Sequence, residues 1–312
     1  MSLSAERIAI ADRAILQTFE RSSVAWQTVP HWDTGDRGQS LVRGDIVSGL
    51  PGPGASATLR ARPLAMRPLR LKTKTVTFLM TLGQATATTP DALLAAVIPR
   101  AVELAALFDN SVLAAVRKQA VAAGRAAAAA APVAAPAPAP APESAWYPKL
   151  AAPVVANAAT KKERTTTFGT ILEALIKGRQ VLEDNGYRSP SCIIASTAHF
   201  TDLSQWAGIR PATEALLTGH IVNSLIRASQ LDRVDVSGTG TSFMIMLGRQ
   251  QAIAQGAAPT ASPGEEPVDL AISVPPSLEV VGENANGLIE LAVRMSFATR
   301  VKDARGVVVF HT

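Results

Sequence analysis

Cysteine is almost absent: Cys192 is the only one in 312 residues. A solitary thiol cannot close an intramolecular disulfide, and it removes paired-cysteine zinc sites from consideration. It lies in the apolar run Cys192-Ile193-Ile194-Ala195, so it reads as a small buried hydrophobe in preference to a nucleophile. One lone cysteine also fits maturation in a reducing cytoplasm. Aromatic residues make up only 4% of a chain that is 47% apolar, so its core must rest mainly on Ala, Val, Leu and Ile. No run of the roughly 18 apolar residues that a spanning helix needs occurs outside an Ala/Pro tract, so no membrane segment is expected. Ser4-Ala5-Glu6-Arg7 carries an acid and a base with no apolar segment of leader type behind it, so no secretory leader is expected either. The net charge of +5 is modest for this length. It serves solubility, and a packaged polyanion is compatible with it but not required.

Catalytic patterns are equally thin. His31 and Asp33 flank Trp32 in a turn-rich stretch, which favours a structural turn over a catalytic or ligating pair. His199, His220 and His311 are scattered, and no two histidines have the i, i+4 spacing of a helical metal site. Ser237-Gly238-Thr239-Gly240-Thr241-Ser242 has no phosphate-loop lysine and reads as a hairpin turn. No GxSxG elbow is present. No catalytic, metal or cofactor site is expected, and the chain does not read as an enzyme.

What is present is an ordered series of elements. Residues 3–28 have the spacing of an amphipathic helix capped by Ser4, with Ile8, Ile15, Leu16 and Phe19 on one side. Val29 to Gly38 reads as an ordered loop. Residues 41–82 read as a long two-stranded excursion. It leaves through Val42–Val47, turns at Leu50-Pro51-Gly52-Pro53-Gly54 and returns along Leu69–Leu82. Such a hairpin has no evident core of its own. A long helix follows, with Thr89 as cap, Pro90 at its first position and a kink expected at Pro99. It fades into Ala126–Ala131 and the alternating Ala/Pro stretch of Pro132–Pro142, read as a surface insertion. A second helix from Phe168 ends at Asn185-Gly186, and Ser191–Ser196 is a buried strand. Helices are expected near 197–206 and 211–229. Strands are expected at Val234–Val236, Phe243–Leu247, Asp269–Val274, Leu278–Val281, Leu288–Val301 and Gly306–Phe310, with a loop over Ala257–Pro267. The class is α+β.

The basic residues Arg60, Arg62, Arg67, Arg70, Lys72 and Lys74 gather on the excursion. With no aromatics interleaved for base stacking, they read as an inter-subunit contact or a charged strand edge in preference to a nucleic-acid surface.

The order of these parts resembles the HK97 fold of tailed-phage major capsid proteins and encapsulin nanocompartments. The most specific likeness runs from Ile171-Leu172-Glu173-Ala174-Leu175 through Asn185-Gly186-Tyr187 and Cys192–Ala195 to Ala198-His199-Phe200. It continues in Phe243–Gly248 with Gln250–Ala254, and in Leu288–Phe297 with Val307–Phe310. The resemblance implies an N-terminal helical arm (1–40) and an extended β E-loop (41–82). It also implies a P-domain with a long spine helix (83–191 and 286–312, with the Ala/Pro-rich insertion at 126–160) and an α/β A-domain (192–285). The function implied is a structural subunit that self-assembles through pentamers and hexamers into an icosahedral shell. By the resemblance, the partners are other copies of the chain, packaged double-stranded DNA or a cargo protein, and separate scaffolding, portal or decoration proteins. Its place is a virion capsid assembled in the host cytoplasm, or alternatively a bacterial cytoplasmic nanocompartment. Some members crosslink an E-loop lysine to a neighbour's asparagine, but Val47–Leu71 contains no lysine, so no crosslinking is expected. A soluble α+β enzyme or binding domain is the remaining alternative.

Overall fold

A computed structural model describes residues 3–44, 68–89, 91–130, 155–157, 168–204, 206–207, 210–211, 222–232, 243–249, 266–284 and 286–311. In chain order the elements begin α1 (Ala5–Ser22), α2 (Val24–Thr28), β1 (His31–Asp33), β2 (Leu41–Arg43), β3 (Pro68–Arg70), β4 (Lys72–Thr81), α3 (Leu82–Thr86) and α4 (Ala92–Ala130). They continue with β5 (Val155–Asn157), α5 (Phe168–Asp184), β6 (Ser189–Ala195), α6 (Thr197–Ser204), β7 (Trp206–Ala207), β8 (Arg210–Pro211) and β9 (Val222–Arg227). The last are β10 (Phe243–Arg249), β11 (Val268–Glu283), β12 (Leu288–Val301) and β13 (Val307–His311). The α+β class is as expected. Contacts sort the described residues into two units, one from Met1–Arg43, Pro68–Val112 and Leu270–Arg300, the other from Leu113–Asp269 and Val301–Thr312. This grouping joins 270–283 to the N-terminal and long-helix residues, across the segment bounds read from sequence.

In the first unit, a four-stranded sheet has the order β1-β11-β12-β4. Its longest ladder pairs β4 with β12 antiparallel over ten residues, from Lys72↔Phe297 to Thr81↔Leu288. Alternation decides the faces: Val76, Phe78 and Met80 are buried on β4, while Thr75, Thr77 and Leu79 between them are exposed. Opposite them, Ile289, Leu291, Val293, Met295 and Phe297 of β12 are buried. The helices supply the matching stripes, Ala11, Ile15 and Phe19 of α1 and Leu93, Val97, Ala101, Leu104 and Phe108 of α4. Four aromatics cluster here. The Phe108 ring centroid lies 4.6 Å from that of Phe297, 5.3 Å from Phe19 and 6.3 Å from Trp26.

Several expectations are corrected in this unit. The 3–28 helix is two helices, broken at Ser23, whose hydroxyl accepts from Trp26 N and caps α2. Residues 31–33, expected in a loop, form β1, parallel to β11 through His31↔Leu270 to Asp33↔Ile272. The return limb of the excursion is not free, because residues 72–81 are paired with β12. Among the described residues the ladder of β2 with β3, Leu41↔Arg70 to Arg43↔Pro68, joins the two limbs, and the expected tip at 45–67 lies outside the described residues. Asp91, not Thr89, caps α4, its carboxylate accepting from Leu94 N at 3.0 Å. The helix runs through Pro99 and extends to Ala130, into the expected insertion. The two strands expected at 269–281 are one strand, β11, which continues through Pro275 and Pro276. β1 stops at Ile272, so on that edge a missing N–H costs no ladder bond. The next donor, Leu278 N, is taken by Asp12 Oδ1 of α1 at 2.6 Å.

The second unit holds a mixed five-stranded sheet of order β5-β13-β10-β6-β9. Its core packs Leu175 and Leu182 of α5 and Leu203 of α6 against Ile193, Met244, Met246, Val308 and Phe310. α5 stops where Gly186 takes φ +92, with Gly186 N donating to Glu183 O and Tyr187 N to Leu182 O. Residues 222–227, expected as helix, form strand β9, parallel to β6 from Ser191↔Val222 to Ala195↔Arg227. Val222, Leu225 and Ile226 suit either period, and the tertiary pairing decides between them. The strand expected at 234–236 and the turn at 237–242 lie outside the described residues.

Gly306 enters β13 under Tyr187 and Pro267; an added Cβ there would meet Pro267 Cβ at 2.4 Å and Tyr187 Cζ at 2.7 Å. Gly306→Ala should therefore destabilise the chain by about 1–3 kcal/mol through overpacking. Urea unfolding checks this, and an unchanged midpoint would show that the proline and the ring yield freely.

Candidate assembly surface

The base of the excursion is built on a small core of its own. Val42, Ala271 and Ala298 are buried together, with Trp32, Leu69 and Leu71 packed against them. The Arg300 guanidinium lies over the Trp32 ring, 4.8 Å from its centroid, and its Nη1 donates to Arg43 O at 3.2 Å. Leu71 N donates to Ser40 O at 3.0 Å, carrying the pairing one step past the ladder.

Of the six basic residues singled out in the sequence, three fall here. Arg70 is exposed opposite Leu41, Lys72 is exposed opposite Phe297, and Lys74 is half-buried opposite Met295. Arg60, Arg62 and Arg67 lie outside the described residues. Lys74 occupies the same strand parity as Val76, Phe78 and Met80, so its stem continues the apolar row while its ammonium reaches water. The other face of the ladder is open. Thr73 and Ser296 share a hydroxyl hydrogen bond of 2.7 Å, Arg294 meets Glu279 at 2.8 Å, and Leu79 is 53% exposed. Val280 (44%) and Val281 (53%) of β11 add exposed apolar surface. One-sided burial of this kind is ordinary for an antiparallel sheet facing solvent.

The scattered titratable groups take structural positions. His31 stacks on Trp26 with centroids 3.9 Å apart, and burial pushes its imidazole below the usual histidine range. His199 is buried on α6 with Nδ1 2.7 Å from Ser196 Oγ, which also accepts from His199 N and so caps the helix. Cys192 is buried, and burial pushes its thiol up. Among the described residues, no group of His, Cys, Asp and Glu is placed to hold a metal ion, and no helix is long and apolar enough to cross a membrane.

Sequence reasoning missed the buried charges that hold the frame. Arg7 of α1 pairs with Asp91 at 2.7 Å, tying the arm to the start of α4, and that hydrogen bond holds the Asp91 carboxyl below its usual range. In the second unit Lys302 meets Asp269 at 3.0 Å with both side chains almost fully buried, and Arg249 lies 3.6 Å from Glu266. Tyr187 donates to Asp303 at 3.1 Å; burial first, then that carboxylate, pushes the phenol up. Asp109 is the most consequential. Fully buried on α4, it accepts from Ser23 Oγ at 2.6 Å, Ala25 N at 2.9 Å and Val24 N at 3.0 Å, satisfying the first turn of α2. An aspartate inside an apolar helix stripe was the only local signal.

No family model matches the chain, and no curated protein matches it. Solved structures do. A virus-like particle from Pyrococcus furiosus aligns over 98% of this chain and 100% of its own, at 10% identity and TM-score 0.61. A phage-related protein from Bordetella bronchiseptica RB50 aligns over 97% and 96%, at 9% identity and TM-score 0.55. The mature capsid of bacteriophage PhiM1 aligns over 92% and 86%, at 12% identity and TM-score 0.52. At such identities the likeness is one of fold, and it bears out the fold expected from the sequence resemblance: the chain has the HK97 fold.

Burial pushes the Asp109 carboxyl up from 3.8 to about 6. The folded state therefore binds a proton more tightly than the unfolded chain. Its stabilising contribution is complete below about pH 4 and is lost as pH rises through about 6, a change of about 3 kcal/mol. Asp109→Asn should remove that slope. Unfolding free energies of both proteins between pH 4 and 7 check this, and parallel profiles would contradict it.

Proposed function

We propose that this HK97-fold chain is a structural subunit that self-assembles into an icosahedral capsid enclosing a phage genome, with no reaction of its own. The observation that carries the reading is a fold likeness spanning nearly the whole chain, to a virus-like particle and a mature phage capsid. The excursion adds a physical argument. Its limbs are joined by a three-residue ladder, and the 24 residues 44–67 that link them include six prolines or arginines, two of them in the tip Leu50-Pro51-Gly52-Pro53-Gly54, a composition poorly suited to packing a core of its own. A neighbouring copy is the natural support, and contacts of that head-to-tail kind close into rings and then shells. Residues 41–82 act as the E-loop in this reading, and the buried face of α4 as the spine. Genome contact is left to surfaces other than the basic limb, and assembly takes place in the host cytoplasm with a separate scaffolding protein.

A second reading is a bacterial nanocompartment shell around a protein cargo, favoured by the amphipathic α1 at the head of the chain, with Ala11, Ile15 and Phe19 on one face. The Ala/Pro tract of 132–142 is atypical of compact encapsulin subunits and weighs toward the phage reading.

The purified chain should elute as megadalton particles and appear hollow by negative-stain microscopy; a compact monomer would sink the proposal. Nucleic acid inside particles recovered from the native host supports the phage reading, and a single co-purifying protein the compartment. On denaturing gels the chain should run as a single 32.6 kDa band without a ladder of multimers, because no lysine lies between Val47 and Leu71.

A further inference from the structure

The four-stranded sheet of the first unit carries opposite charge at its two ends. At the end where β4 begins stand Arg43, Arg70, Lys72, Lys74 and Arg300. Arg70, Lys72 and Lys74 have no ion pair among the described residues. Among the described residues Asp33 and Asp36 stand on this side, and each already accepts a backbone N–H of its own turn, from Gly35 and Gly38, both at 2.8 Å. At the end where β4 stops stand Glu290, opposite Leu79, and the exposed Glu283 at the hairpin between β11 and β12. Neither has an ion pair among the described residues. Arg7 and Asp91 near that end are paired with each other, and Arg294, opposite Thr75 in the first half of β4, is paired with Glu279.

Lys74 and Glu290, which is opposite Leu79, stand five ladder steps apart, about 17 Å, beyond the ~8 Å screening length of physiological salt. Neither end can neutralise the other within one copy. Exposed apolar side chains mark both: Leu41 (50%) beside the cationic group, and Leu79, Val280 and Val281 beside the anionic one. An apolar centre with a charged margin is the usual make-up of a protein contact.

We propose that these ends are a matched pair, the cationic end of one copy docking on the anionic end of the next. The inference rests on the shell reading and goes further by naming which surfaces meet. Because the ends differ in sign, a two-fold contact through either one would set like charges together. Only a heterologous, repeating contact pairs opposites, and such contacts close into rings.

Two double variants test it. Arg70→Glu with Lys72→Glu makes both ends anionic, and Glu283→Lys with Glu290→Lys makes both cationic. Light scattering and sedimentation should show each alone associating at least about tenfold more weakly than the wild type. An equimolar mixture should recover assembly, because each copy then finds only the opposite sign on its neighbour. Wild-type association should also weaken as ionic strength rises, a measurement that stands even if a variant fails to fold. Salt-indifferent wild-type assembly overturns the proposal. So does a mixture of folded variants that stays dissociated, or an effect confined to the Arg70/Lys72 variant, which would assign those residues to a polyanion such as nucleic acid. A wild type that never associates would instead remove the shell reading itself.

Discussion

The first unit depends on the pairing of β4 with β12. Residues more than two hundred positions apart, such as Thr73 and Ser296, must meet before β4 has a partner for its backbone groups, whereas β12 already has β11 beside it. Once they meet, a single decision about register sends Val76, Phe78, Met80 and five residues of β12 to one side. That apolar face is what α1 and α4 have to cover. The same register places Lys72 and Lys74 at the end of the ladder, next to the base of the excursion. A contact of this sequence separation carries a large loop-closure cost and is slow to form. The local elements, α1 and α4 above all, are helical by their own periodicity and need not wait for it.

With aromatics so scarce, their placement matters more than their number. Phe19, Trp26, Phe108 and Phe297 come from α1, α2, α4 and β12 and meet in one cluster. Beside it, the Asp109 carboxylate takes the amide groups that α2 leaves without partners. Aromatic packing holds the elements together, while the buried carboxylate fixes where one helix ends and the next begins. In the second unit buried ion pairs stand beside the aromatic core of Tyr187 and Phe310. Lys302 with Asp269 and Arg249 with Glu266 are almost fully shielded from water, an arrangement costly to break from one side only.

Much of this was legible in the sequence because it is periodic. The stripe on α4, the alternation on β4 and β12, the Asn185-Gly186 stop and the closing strand all follow from local spacing. What was not legible depends on distant partners. Nothing near Ser23 announces that Asp109, 86 residues on, will split a helix there. Residues 222–227 are helical by pattern and become a strand because β6 offers a parallel edge. Asp91 outcompetes Thr89 as cap with the help of Arg7, which is 84 residues away. Of the proposed contact surface, composition revealed the basic limb. The opposing carboxylates Glu283 and Glu290 became visible only once the hairpin placed them at the far end of the same ladder.

The free edge of β11 has a meaning beyond its own hydrogen bonds. Past the end of β1, Pro275 and Pro276 have no N–H to offer, and the next donor, Leu278, is held by Asp12. An incoming strand would find the row of donors broken there. In the proposed shell many copies would sit at high local concentration, where sheet could add to sheet without limit. Here Pro276 and the hydrogen bond from Leu278 N to Asp12 interrupt that edge midway along β11.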